Sequence, residues 1–152
     1  MSFHDKYRDL PDDFKLVEIV SVQTDILGYE FEDCYVKLTK DGMLYIFPGF
    51  EWSASGPTVD SPWTRRASLY HDALYYIASQ GIFKGKNSKK VRKLTDKLFL
   101  KTMKEDLSKP KMEWYVTMVV LPVRHIRCRA WYSTVRIAGW SYWEAELKDD
   151  TV

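Results

Sequence analysis

Residues 15–52 read as strands, and two stretches of this region mix apolar and polar residues at a period near two. The stretch "KLVEIVSV" carries β-branched residues in loose alternation, and "YEFEDCYVKL" sets an aromatic or aliphatic side chain at nearly every second position. A period of two puts successive side chains on opposite faces, so both stretches read as strands with one buried face. "MLYIF" follows "TKDGM", where Asp41-Gly42 is a strong hairpin turn signal. A β-hairpin is therefore expected over residues 29–47, with a further strand before it. Pro48 and Gly49 end the last strand, and the strands together occupy residues 15–52.

Residues 53–65 hold Gly56, two Pro and three Ser, and read as a loop. The period then changes. Residues 66–80 read as a helix closed by Gly81, with Ala67, Tyr70, Leu74 and Ile77 as its apolar stripe. Ser68, His71, Asp72 and Tyr75 share another side by three-and-four spacing. A second helix is expected over residues 88–107, capped by Ser88, with Val91, Leu94 and Leu98 facing inward. On it Arg92 and Asp96 lie four apart and can pair, and Asp96 neighbours Phe99 and Met103. A third helical region is expected over residues 112–139, although Pro122 would kink it. Ile126, Ala130, Val135 and Ala138 form its expected apolar side, and Gly139 stops it. Strands followed by helices predict an α+β fold: a small N-terminal antiparallel sheet with about three helices packed on it, in one domain spanning 1–152.

Composition narrows the function classes. A chain of 152 residues is long enough for a real core. Its net charge of +2 implies no strong field, so nucleic acid is disfavoured as a partner. Lys84, Lys86, Lys89, Lys90, Arg92 and Lys93 form a basic run, which reads as a solvated loop and helix start. An aromatic content of 15% favours a ring-rich core and contact surfaces. The longest apolar stretch, "WYVTMVVLPV", is about half of what a bilayer requires, so no membrane insertion is expected. Cys34 and Cys128 show no Cys-x-x-Cys or Cys/His ligand spacing, which gives no reason to expect a metal or cofactor. Whether the two pair as a disulfide is left open by the sequence.

The stretch "SGPTVDSPWTRRASLYHDALYYI", followed by "VRKLTDKLF" and "RAWYSTVRIAGW", resembles the phage and prophage domain-of-unknown-function family 1353. Members share an N-terminal β part, then a loop with Ala-Ser before a Pro. A helix carrying Arg-x-Ser-x-x-His-Asp-x-x-Tyr follows, then one with an Asp-x-x-Phe-like element, and a last helix with Val-Arg and a Gly. The matching positions are Ala54, Ser55, Pro57, Arg66, Ser68, His71, Asp72, Leu74, Tyr75, Arg92, Asp96, Phe99, Val135, Arg136 and Gly139, within residues 40–140. The family usually has an acid two places before its Ala-Ser, where this chain has Trp52. Glu51 is adjacent, but neighbours on a strand point to opposite faces. The resemblance implies a phage origin, and either a virion part or an accessory protein that binds a host factor. The implied partners are other virion proteins or a second copy of the chain. The implied location is the bacterial host cytoplasm during infection, or the virion.

His71 and Asp72 are the candidate chemistry, with Asp96 as a distal acid. Metal-dependent phosphohydrolases with a His-Asp pair add a second, upstream His, and no His lies between His4 and His71. A triad with Ser55 or Ser68 as nucleophile meets another obstacle: adjacent residues on a helix point about 100° apart. The bland reading is a structural polar network of Ser55, Arg66, Ser68, His71, Asp72, Arg92 and Asp96 that ties loop and helices together. It is favoured over a hydrolytic metal site, and an assembly role over an enzyme.

Overall fold

The computed structural model describes residues 3–10, 13–53, 62–85, 87–108, 126, 128–130, 132–137 and 139. Seven short strands come first: β1 (Tyr7–Asp9), β2 (Phe14–Leu16), β3 (Val20–Gln23), β4 (Phe31–Glu32), β5 (Val36–Leu38), β6 (Met43–Ile46) and β7 (Glu51–Trp52). Two long helices follow, α1 (Pro62–Ser79) and α2 (Ser88–Ser108), and the described residues between 126 and 139 are helical. The architecture is α+β, as the pattern predicts.

The expected single sheet is two. One has the order β1-β2-β7 and the other β3-β6-β5-β4, all pairs antiparallel. The stretch expected as one strand from Lys15 is split between them as β2 and β3. Its partner explains the split. β6 pairs with β3 and β7 pairs with β2, but Pro48 and Gly49 (φ 97°) separate β6 from β7. A strand cannot follow a partner that turns away, so residues 17–19 cross between sheets. Val17 donates instead to the Lys6 carbonyl at 2.8 Å.

The Asp41-Gly42 hairpin forms between β5 and β6, with Val36 opposite Ile46 and Leu38 opposite Leu44. All four side chains are fully buried. Gly42 has φ 85°, and a Cβ there would lie 2.7 Å from the Thr24 carbonyl oxygen, so only glycine fits. Thr24 uses both its backbone N–H and its hydroxyl on the Gly42 carbonyl, anchoring the turn to the chain after β3.

The main core lies between the sheets and α1. Leu69, Tyr70, Ala73, Leu74 and Ile77 of α1 meet Leu16, Val36, Leu44 and Ile46, joined by Phe83 and Val91. Gly81 closes α1 at φ 76°, as expected. The helix starts at Pro62 rather than at residue 66, within the stretch expected as loop. Proline is tolerated in a first helical turn, where its missing N–H has no partner to lose. At the start of α2 the expected cap moves by one residue. Val91 donates to the Asn87 carbonyl, which leaves Ser88 buried inside the first turn.

A smaller core joins Ala67, Phe99, Met103, Leu107 and Cys128, with Val135 against it. Its composition corrects the expected third stripe. Ile126 is 68% exposed and Ala130 is exposed, while Cys128 is fully buried. Neither the buried Cys128 nor the exposed Cys34 is in a disulfide. The expected helix over residues 112–125, and Ala138, lie outside the described residues.

Candidate functional site

α1 and α2 run antiparallel, because Arg66 at the start of α1 meets Asp106 near the end of α2, while His71 meets Asp96 further along. This pairing brings His71, Asp72, Asp96, Arg92 and Arg136 together. His71 Nε2 lies 3.3 Å from Asp96 Oδ1, and His71 Nδ1 lies 3.5 Å from Asp72 Oδ1. Arg136 Nη1 donates to Asp96 Oδ2 at 2.8 Å, and Arg92 Nε lies 3.9 Å from the same oxygen. Arg92 also donates through Nη2 to the Arg136 carbonyl. Asp96 is fully buried, so its charge needs these cations: an isolated buried carboxylate would be driven to its neutral form.

The His71 ring is stacked on Tyr75 with centroids 4.1 Å apart and meets the Phe99 ring edge-on at 5.5 Å. Tyr75 is held above its ordinary range, at about 12, mainly by burial and then by the Asp96 charge, with Arg92 and Arg136 opposing. Gly139 completes the wall. A Cβ there would come within 2.5 Å of the Tyr75 hydroxyl, so a side chain would push the last helical residues off α1.

Burial works against protonation of His71, but hydrogen bonds and charge from Asp72 and Asp96 outweigh it and raise the pKa above the usual histidine value. The sign of the linkage follows. Stability from the imidazolium is fully present below the unfolded value near 6.5 and is lost as pH rises through the raised folded value. Urea melts taken above pH 6 should show wild-type stability falling relative to His71→Phe as pH increases. Parallel curves for the two proteins would mean that the ring binds its proton equally well in the folded and unfolded states.

The expected single network divides. Arg66 turns away from His71 to Asp106, with Nε–Oδ2 3.0 Å and Nη2–Oδ1 2.9 Å, and to Glu105 at 3.0 Å. Antiparallel packing places the end of α2, rather than Asp96, beside that turn of α1. The Ser68 hydroxyl donates back to the Arg65 carbonyl at 2.9 Å, a local helix bond. Ser55 lies outside the described residues, as do Ala54 and Pro57. Trp52 is 3% exposed; its indole N–H donates to the Arg65 carbonyl at 3.2 Å and its ring packs on Tyr7 and Phe14. Glu51 points to solvent and pairs with Lys15.

Arg136 is the member that spacing alone did not place in the site. It sits 40 positions from Asp96, and only its Val-Arg context in the resemblance marks it. A second polar tie was also missed. The Tyr76 hydroxyl donates to Asp33 Oδ2 at 2.6 Å, while Asp33 Oδ1 accepts from the Tyr35 and Val36 backbones. Burial opposes the Asp33 charge, but these bonds prevail and lower its pKa.

Fold and site together define a two-sheet α+β protein whose helical hairpin is clamped by a buried His–carboxylate–Arg cluster. Among known proteins, no family model, curated protein or solved structure matches the chain. Among the described residues, no group of three or more His, Cys, Asp or Glu side chains could hold a metal ion, and no helix is long and apolar enough to cross a membrane.

Proposed function

We propose that this chain is a phage-encoded virion-associated or assembly protein, of the family it resembles, acting through protein–protein contacts. The observation that carries the reading is the commitment of the polar cluster. Both His71 ring nitrogens face carboxylates, and of the Asp96 oxygens Oδ1 faces the His71 ring while Oδ2 faces Arg92 and Arg136. With a carboxylate at each ring nitrogen, the imidazole has neither nitrogen turned to an open site where a metal or substrate could sit. The cluster fastens three helical segments and leaves the molecular surface to do the work. Leu10, Ile19, Leu27 and Tyr35, each between 38% and 62% exposed, give the β half apolar contact points.

Two measurements test this. Mass spectrometry of particles purified from infected host cells should detect the chain, and repeated absence would remove the virion role. Wild-type melting temperature should stay constant when Mg²⁺, Mn²⁺ or Zn²⁺ is added. The alternative, a metal-dependent hydrolase using His71, Asp72 and Asp96, requires a rise that grows with the logarithm of metal excess. A rise that disappears in both His71→Ala and Asp96→Ala would establish that alternative.

A further inference from the structure

Along the chain, α2 mixes acids with bases, and the fold sorts them. Arg92 is 2% exposed and Asp96 is fully buried. Asp106 and Glu105, at the far end, are engaged with Arg66. Every exposed position of α2 from Lys89 to Lys101 is a lysine. At about 100° per residue, Lys90, Lys93, Lys97 and Lys101 fall within an arc of about 80°, and at 1.5 Å per residue they span about 16 Å of helix. The intervening Leu94, Leu98 and Leu100 are packed against the two cores, so no exposed apolar side chain interrupts the stripe.

This surface suits one chemistry. The centres of protein interfaces are depleted in lysine and built on aromatic residues and arginine. A helix lying in a membrane surface buries an apolar face, and the apolar face of α2 is already used inside the protein. A row of ammonium groups on flexible stems can follow the curved row of phosphates along a duplex strand. We infer that the solvent face of α2 docks on the phosphate backbone of a nucleic-acid duplex. The exposed positions from Lys89 to Lys101 carry no Asn, Gln or Arg to grip a base edge with two hydrogen bonds, so the contact is independent of sequence. The low net charge of +2 remains compatible, because the lysines are concentrated on one face. The inference adds a ligand to the contact role above and stands without it.

Fluorescence anisotropy of the full chain with a labelled 20-base-pair duplex tests it. Four phosphate contacts predict a slope of about −3.6 for log affinity against log salt, so affinity should fall about 150-fold from 50 to 200 mM. The double variant Lys93→Gln, Lys97→Gln should halve the slope, to about −1.8. Glutamine matches lysine in helix propensity at exposed positions, and an unchanged circular-dichroism melt confirms the fold. Lys40→Gln, on the β half, should leave the slope unaltered. Absence of binding at 50 mM salt, or an unchanged slope in the double variant, overturns the inference. Equal, lysine-dependent binding to phosphatidylserine vesicles would also overturn it, assigning the face to anionic lipid.

Discussion

Asp96→Ala should destabilise the protein by roughly 3–5 kcal/mol, the range for removing one partner from a buried ion cluster. The carboxylate is fully buried and faces His71, Arg92 and Arg136. Without it they do not fare alike. Arg136, with a side chain 34% exposed, can turn to water, while Arg92 is 2% exposed and has no such route. His71 loses its Nε2 partner and with it much of the reason to be protonated. Asp96→Asn should be milder, because the amide oxygen still accepts one hydrogen bond. Urea unfolding followed by circular dichroism measures both. A loss below about 1 kcal/mol in Asp96→Ala would mean that the cations reach solvent easily and that the cluster is no clamp.

Trp52→Ala should cost about as much, roughly 3–5 kcal/mol. Its ring is 3% exposed, lies 5.4 Å from the Phe14 ring and 5.6 Å from Tyr7, and its N–H ties β7 to the Arg65 carbonyl in α1. Trp52→Phe keeps most of the packing and loses the hydrogen bond, so about 1 kcal/mol is expected. Glu51→Ala, one position away, should change stability by less than about 1 kcal/mol, because its bridge to Lys15 is half exposed. Position 52 is a junction between sheet and helix, and an acid placed there would be buried among rings. If Trp52→Ala and Glu51→Ala prove equally mild, the sheet β1-β2-β7 contributes little to the folded state.

What the sequence determined by itself is local. The Asp41-Gly42 turn was legible because only glycine tolerates its backbone and because alternation on either side sets the register. The two helices were legible because their apolar stripes repeat at helical spacing and Gly81 closes the first. Pairing of Arg92 with Asp96 was legible as a four-residue step on one helix. The rest needed tertiary structure. The split into two sheets followed from where β6 and β7 turn, and no property of "KLVEIVSV" alone records the bend of its partner. Arg136 reaches Asp96 across 40 positions, and Arg66 chooses Asp106 over His71's neighbourhood because α1 and α2 pack antiparallel. The charge on α2 shows the same division. Its composition is mixed, but packing buries Arg92 and Asp96 and leaves lysines outside, because charge can be buried only where a partner of opposite sign is waiting.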